Sequence, residues 1–496
     1  MHTEFKRLIN HSIVYFAGST LNKLGVFLLL PIYTQYLTPG EYGVLELVLV
    51  TVAIMRIFLG IGFSHSTLRF FFEYKEEKER KRLVSTSLLS VTLWCFFLTL
   101  LLMFFSNDIS VFVFKSDSFR LLLILGFSVM FFEVINEIPF AVFRAKELSF
   151  LYILSSLAQL IIRVGLNIYI VIYLRKGVQG ILVGNLISAA VIWLILCIFV
   201  FKYSGIAFDF SKLKSLWKYS YPLIIASFPS LVAGNMDRIF LHWYGSLEIV
   251  GVYALAIRFG MALQGFVLEP FQLGYSPFRF SIMKQENAKD IYARILTYFV
   301  FIVTFIGLII IIFSREIIEL MSSELFKDAY KIVPFAVFAT ILKGVSYIVQ
   351  TGLLIEKKTI YTAYIATITF VLNILALFLL VPLLGMYGAG FSMLLVSLLD
   401  SLLNYLFSQK HYRIRFEYQR LTKIAGVALL IYFLSIFINE SMEFSVRLFL
   451  KTGVILIFPF LLMRLNFYTK EEIAKLFILK EKISTKVFAL IGSDRR

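Results

Sequence analysis

Hydrophobic stretches long enough to cross a membrane follow one another along the whole chain, and almost every one carries a charged or strongly polar residue near its middle. Apolar side chains make up 59% of the 496 residues. A helix of about 20 apolar residues crosses the roughly 30 Å hydrocarbon core of a bilayer. The sequence therefore predicts an all-α polytopic membrane protein without a separate soluble domain.

The hydropathy pattern predicts about fourteen transmembrane helices. The predicted spans are 10–36, 43–66, 83–106, 119–142, 150–174, 179–201, 217–243, 248–272, 292–314, 331–355, 360–382, 386–408, 424–439 and 445–464.

Basic residues are concentrated in one set of alternate connections, which includes Glu73–Arg82 and His411–Arg420. The opposite connections are short and poor in basic residues. Because Lys and Arg are enriched in cytoplasmic loops, both termini are predicted to face the cytoplasm. The net charge of +17 is then explained by anionic lipid headgroups beside these loops, and no nucleic-acid partner is expected.

Two halves of the chain show weak similarity in the same order. Tyr42–Val44 aligns with Val250–Val252, and Asn167–Gly180 aligns with Asn373–Gly390. Six helices in each copy would give two parallel pseudo-repeat lobes around a central cavity. The predicted domains are an N-terminal lobe at 1–210, a C-terminal lobe at 211–410, two additional helices at 411–468 and a cytoplasmic amphipathic tail at 469–496.

Charged residues inside the predicted spans should face a water-filled cavity or a partner of opposite charge. A charge at the bilayer centre otherwise costs about 2.5–3.5 kcal/mol on insertion scales. Five cations lie near mid-depth and would suit an anionic substrate, namely Lys23, Arg56, Arg163, Arg258 and Lys343. The presence of these cations inside the membrane is explained equally well if each one pairs with a carboxylate on a neighbouring helix. Arg238 adjoins Asp237, and local pairing is its simplest interpretation.

Acidic residues in the spans are candidates for energy coupling, because a carboxylate in a cavity can carry a proton or hold a sodium ion. The candidates are Asp237, Glu133, Glu137 and Asp400. Glu133 and Glu137 lie four residues apart on one helix face, where they repel each other unless a cation lies between them. The choice between proton and sodium stays open.

Enzymatic motifs are absent from the sequence. It contains no G-x-x-x-x-G-K-[ST] motif, and its five histidines show no ligand-like spacing. An integral-membrane glycosyltransferase, polymerase or ligase would be expected to carry a sizeable external loop, and no predicted external connection is long enough. We therefore expect no enzymatic activity, no metal site and no cofactor apart from a coupling ion.

Three segments resemble a known family. Tyr15–Gly43, with the core PIYTQYLTPGEYG, is similar to the opening of the polysaccharide-biosynthesis flippases of the MOP (multidrug/oligosaccharidyl-lipid/polysaccharide) superfamily. Tyr221–Gly245 resembles the family's seventh helix, with its Asp-Arg pair before the outer turn. Asn373–Gly390 resembles its series of Asn, Pro, Gly and Gly-Ala.

The resemblance implies an alternating-access flippase in a bacterial or archaeal cytoplasmic membrane. Its substrate would be an undecaprenyl-diphosphate-linked oligosaccharide, moved to the outer leaflet for surface polysaccharides such as O-antigen. Lys23, Arg56 and Arg258 lie where relatives have a cationic cavity, and a polysaccharide polymerase and other assembly proteins would be further partners.

Three alternatives stay open at this point. Lipid II flippases and multidrug exporters belong to the same superfamily, although a basic lining should repel cationic drugs. A non-transporting scaffold of a polysaccharide assembly complex is the alternative of another class, and it gains nothing from buried charges.

Overall fold

The computed structural model describes residues 25, 27–60, 62–438, 442–469 and 472, and this part of the chain is helical without any strand. The helices are α1 Pro39–Leu59, α2 Phe63–Glu73, α3 Glu77–Phe104, α4 Ser106–Phe114, α5 Arg120–Ala145, α6 Ser149–Ile168, α7 Gly177–Ser204, α8 Phe210–Ala233, α9 Met236–Tyr244, α10 Leu247–Leu263, α11 Glu269–Ser281, α12 Ala288–Met321, α13 Val333–Val349, α14 Thr351–Ile355, α15 Ile360–Leu384, α16 Met386–His411, α17 Tyr418–Ile436 and α18 Phe444–Arg464. The π-helical turns Tyr169–Tyr173 and Gln264–Leu268 continue α6 and α10.

Twelve helical segments among the described residues are long and apolar enough to cross a membrane, judged by length and composition. They correspond to the second to sixth and the eighth to fourteenth predicted spans, so the all-α polytopic fold is confirmed. Most of the first predicted span, including Lys23, lies outside the described residues, as does nearly all of the predicted tail.

The seventh predicted span, 217–243, is helical but interrupted. α8 ends at Ala233, and α9 begins at Met236. α8 also contains Pro222 and Pro229, and each proline removes a backbone donor from the helix. The interruption places the Asp237–Arg238 pair in the first turn of a separate short helix.

Several helices begin before their predicted positions. Thr38 caps α1 through a capping box with Glu41, and Pro39 occupies the first turn, so the helix begins four residues before the predicted position 43. α3 begins at Glu77, six residues before position 83, with Glu77 and Glu79 in its first turn. Acidic residues stabilise a helix N-terminus, and the charged segment Glu73–Arg82 therefore becomes largely helical.

The chain divides into two compact units. The first contains the residues up to Phe280 together with Ser314–Tyr412, and the second contains Ser281–Phe313 together with the residues from Arg413 onward. The second unit packs α17 and α18 on the first part of α12, around a cluster that includes Ile424, Ile431, Phe458 and Leu462. Lys451 is buried in this unit and donates to the carbonyl oxygen of Ile312 at 2.8 Å.

In the first unit, α1 and α10 cross at two glycines that the internal duplication makes equivalent. A Cβ atom on Gly43 would lie 2.0 Å from the carbonyl oxygen of Leu247, and one on Gly251 would lie 1.9 Å from that of Pro39. Only glycine permits such an approach of two backbones. The reciprocal contact fits two lobes related by an approximate two-fold axis.

A second contact connects the two predicted lobes, at the helix ends that are predicted to face outward. The ring nitrogen Nε2 of His242 lies 3.0 Å from the carbonyl oxygen of Phe114. Trp243 Nε1 donates to the carbonyl oxygen of Phe112 at 3.0 Å, and Lys115 Nζ donates to that of Trp243 at 2.5 Å. These bonds connect α9 with the end of α4.

Candidate functional site: paired charges inside the helical bundle

Four charged side chains from three helices form one network in the N-terminal half. Arg56, in the last turn of α1, lies 3.3 Å from Glu133 and 2.5 Å from Glu137 on α5. Arg163 on α6 lies 2.8 Å from Glu133. The cation expected between the two glutamates is therefore Arg56, and Glu133 bridges both arginines.

This network carries two positive and two negative charges, and it is open to its surroundings. The side chain of Arg56 is 35% exposed, and those of Glu133 and Glu137 are 26% and 28% exposed. Ser64 Oγ donates to Glu137 at 3.2 Å. Because the ion pairs are only partly covered, an incoming anion or cation can compete for either set of partners.

Arg258 pairs with a carboxylate that the sequence analysis did not select. Its guanidinium forms an ion pair with Glu46 on α1, and its Nε lies 3.4 Å from the hydroxyl of Tyr42. Glu46 is 4% exposed. The predicted span began at Gly43 and left Glu46 at its edge, whereas the capping box at Thr38 and Glu41 places it well inside α1.

A cavity of about 250 Å³ lies beside Arg258. Its wall is mainly apolar and includes the π-helical turn after α10, a type of distortion that occurs frequently at functional sites. The lining residues are Phe27, Leu30, Arg258, Met261, Ala262, Gln264, Gly265, Phe266 and Glu269. One cation and one carboxylate therefore border an apolar chamber, and Glu269 is a second acidic residue that the sequence analysis did not select.

The remaining intramembrane charges lie in the C-terminal half. Arg238 Nη1 lies 3.0 Å from Asp237 Oδ1 and also donates to the carbonyl oxygen of Gly234. Tyr253 donates to the other oxygen of Asp237 at 2.7 Å. Arg238 thus pairs locally, in agreement with its simplest sequence interpretation.

Lys343 and Asp400 belong to a neighbouring group. Lys343 on α13 is exposed, and Asp400 lies on α16. Asp400 accepts from Ser346 Oγ at 2.5 Å, and Asn404 Nδ2 donates to the same Ser346 oxygen at 3.1 Å. The four candidate cations that the structure describes therefore do not form one cluster, and the fifth, Lys23, lies outside the described residues.

Other polar residues of α6, the helix that carries Arg163, contact the neighbouring helix α7. The carbonyl oxygen of Gln159 accepts from Ser188 at 3.1 Å, and Asn167 Nδ2 donates to Asn185 at 3.0 Å. In the second half, the equivalent Asn373 donates to the carbonyl oxygen of Ala233 at 2.8 Å. Helix-to-helix hydrogen bonding accounts for the side chains of Asn167 and Asn373. Arg163, on the same helix as Asn167, joins the charged network instead.

Comparison with known proteins gives one family and one fold. The family model described as polysaccharide biosynthesis protein matches residues 8–283, which is more than half of the chain. The search of the curated proteins gave no match.

Solved structures with a similar fold include the lipid II flippase MurJ in an inward closed conformation, with a TM-score of 0.73 at 17% identity over 92% of this chain and 99% of that one. A multidrug resistance MATE family transporter of the MOP superfamily, in an inward-facing conformation, gives a TM-score of 0.64 at 15% identity over 79% and 94%. A MOP superfamily transporter from Pyrococcus furiosus gives 0.52 at 15% identity over 81% and 94%. At these identities the structures show the shared fold alone. The family match over more than half of the chain shows that the protein belongs to the polysaccharide biosynthesis protein family.

Proposed function

We propose that this protein is a flippase that moves an undecaprenyl-diphosphate-linked oligosaccharide from the cytoplasmic to the outer leaflet for surface polysaccharide assembly. The observation that carries the proposal is the position of Arg258 at the wall of an otherwise largely apolar cavity. A diphosphate joined to a polyprenyl chain needs a bidentate cation beside apolar surface, and this arrangement offers both.

The ion pairs suggest how binding and energy coupling are linked. Arg56, Arg163 and Arg258 each contact a carboxylate, so a substrate phosphate must take the place of that carboxylate. A proton or sodium ion on the carboxylate weakens its hold on the arginine and favours the exchange. The proposed substrate-binding set is Lys23, Arg56, Arg163, Arg258 and Lys343, and the proposed ion-coupling set is Asp237, Glu133, Glu137 and Asp400.

Transport in this scheme proceeds by alternating access between the two pseudo-repeat lobes, 1–210 and 211–410. The lobe contacts at Gly43 with Gly251 and at Phe112 with Trp243 would have to separate when the cavity opens outward. The proposed location is a bacterial or archaeal cytoplasmic membrane with both termini inside, and polymerase and assembly proteins are the proposed further partners.

Lipid II transport and multidrug export are the two other transport activities to consider, and they differ from the proposed function in substrate. The similarity to MurJ makes lipid II a direct competitor, because it also presents a diphosphate on a polyprenyl chain. A cationic drug is disfavoured because it would meet the guanidinium of Arg258. A scaffold without transport is disfavoured by three separate groups of intramembrane charges, which a scaffold does not need.

Transport by purified protein in proteoliposomes tests the proposal. Fluorescent undecaprenyl-diphosphate oligosaccharide, lipid II and a cationic dye should be compared with and without an imposed proton or sodium gradient. We expect gradient-stimulated movement of the oligosaccharide lipid, scored by the access of an added glycosidase. Movement of lipid II alone, or of the dye alone, would replace the proposed substrate, and no movement of any of them would favour the scaffold.

A further inference from the structure

A second cavity, of about 680 Å³, lies in the N-terminal half, apart from the paired charges described above. It opens between the starts of α1, α5 and α7 and the π-helical turn that follows α6. The lining residues are Gln35, Tyr36, Glu41, Val44, Phe119, Leu122, Val171, Arg175, Lys176, Gly177, Val178 and Gln179. None of the proposed substrate-binding or ion-coupling residues lines it.

One wall of this cavity is held in a fixed geometry by backbone contacts. Glu41 Oε2 accepts from the backbone nitrogen and the hydroxyl of Thr38 at 2.9 and 3.0 Å, so the capping box fixes this carboxylate. Opposite it, Gly177 has φ +50°, and a Cβ atom there would lie 3.5 Å from Glu41 Oε1. Arg175 also has a positive φ of 49°. The turn from Arg175 to Gly177 therefore takes a conformation that favours glycine and brings the start of α7 close to the carboxylate.

The polar lining groups include both hydrogen-bond donors and acceptors. Arg175 and Lys176 donate, Glu41 accepts, and Tyr36, Gln35 and Gln179 do both. Among the described residues, neither Arg175 nor Lys176 lies within 4.0 Å of a carboxylate oxygen. Their donors are thus available to a ligand.

The ligand chemistry follows from this mixture. A simple anion would meet Glu41 as well as the two cations, and an apolar drug would offer no hydrogen bond to the polar side chains of the lining. A polyhydroxylated ligand can both donate and accept, and its C–H faces can lie against Val44, Phe119 and Val171. The cavity volume falls within the range of roughly 300–1,000 Å³ that is usual for sites of small organic ligands.

We propose that this cavity is a glycan-binding site, which holds sugar residues of the transported lipid on the side that is predicted to face outward. The proposal rests on the proposed flippase function. The protein would then recognise its lipid-linked oligosaccharide at two sites. The arginine groups would hold the diphosphate, and the second cavity would hold the sugar.

Site-directed thiol labelling tests the site directly. The native thiols, Cys95 and Cys197, are free and buried, and both are replaced by serine. Gln179→Cys, and separately Gln35→Cys, are then placed in the cavity in proteoliposomes. The matched control is Asp117→Cys, an exposed position before α5 at the same end of the bundle. A charged, membrane-impermeant maleimide is added from outside, and the labelling rate is measured.

The proposal predicts that undecaprenyl-diphosphate oligosaccharide slows labelling of both cavity positions severalfold and leaves Asp117→Cys unchanged. Undecaprenyl diphosphate without sugar should protect neither position. Equal protection by the sugarless lipid, no protection by the glycan lipid, or failure of the maleimide to reach either cavity position would overturn the site.

The same vesicles separate this proposal from the proposed function. Transport without protection refutes the glycan site alone. If the lipid is not transported, the flippase proposal fails, and free oligosaccharide released from the same lipid still tests the cavity through its effect on labelling.

Discussion

Glu46 on α1 and Arg258 on α10 form an ion pair between residues 212 positions apart in the chain. α1 and α10 belong to the two different lobes that the sequence similarity predicts, so the pair would join these predicted lobes at the wall of the cavity that Arg258 lines. The residue proposed to bind the substrate phosphate is therefore also a structural link, and substrate binding must compete with that link.

We expect Glu46→Ala to destabilise the protein strongly, because removal of one partner leaves a buried charge uncompensated. The loss should be about 3–5 kcal/mol, as for other buried ion pairs. Thermal unfolding in detergent measures it. The double variant Glu46→Ala with Arg258→Ala should be more stable than Glu46→Ala alone, and equal stability of the two would contradict the pairing.

Glu133→Gln should increase affinity for undecaprenyl diphosphate. Glu133 contacts both Arg56 and Arg163, so loss of its charge makes the guanidinium of Arg163 available to phosphate and leaves Arg56 paired with Glu137 alone. Equilibrium binding to the purified variant measures the dissociation constant, with Glu319→Gln, which contacts Arg315 outside the network, as the control. Weaker binding in Glu133→Gln would show that these arginines do not face the substrate.

Gly251→Ala should destabilise the contact between the lobes, because the new methyl group would lie 1.9 Å from the carbonyl oxygen of Pro39. Overpacking of this kind costs about 1–3 kcal/mol. Gly165→Ala is the matched control, since no atom lies within 4 Å of its added Cβ atom. Equal melting temperatures for the two variants would argue against the close crossing of α1 and α10.

A short thiol crosslink between α4 and α9 should stop transport. In the variant without native cysteines, Phe112→Cys with Trp243→Cys replaces two aromatic rings whose centroids lie 5.2 Å apart. Alternating access requires these helix ends to separate, so a cleavable crosslinker should abolish movement and reduction should restore it. Undiminished transport by the crosslinked protein would place the moving interface elsewhere. Each single-cysteine variant, treated identically, is the control.

Much of the fold follows from hydropathy alone, because spanning length and apolar composition determine where helices of a membrane protein lie. The starts of α1 and α3 depend instead on the capping residue Thr38 and on acidic first-turn residues such as Glu77, which a hydropathy window does not weigh. The short helix α4 was not predicted, since it directly follows the end of α3.

The charged residues were predicted as a set, but their partners were not. Sequence spacing placed Glu133 and Glu137 on one helix face, and only the packing of α1 and α6 on α5 shows that Arg56 and Arg163 meet them. Glu46 was missed because it lies near a predicted helix end. The internal duplication aligned Gly43 with Gly251, although similarity alone gives no sign that the two residues touch.

The most direct test of the account is the rate of outward movement of undecaprenyl-diphosphate oligosaccharide in proteoliposomes that contain Arg258→Ala. Lys331→Ala is the matched control, because Lys331 is also ion-paired, with Asp328 at 2.8 Å. It is the last residue of the 3-10 helix Glu324–Lys331 and does not line the cavity. Loss of movement in folded Arg258→Ala, with normal movement in Lys331→Ala, is the predicted result. Normal movement in both variants would contradict the assignment of the substrate phosphate to Arg258.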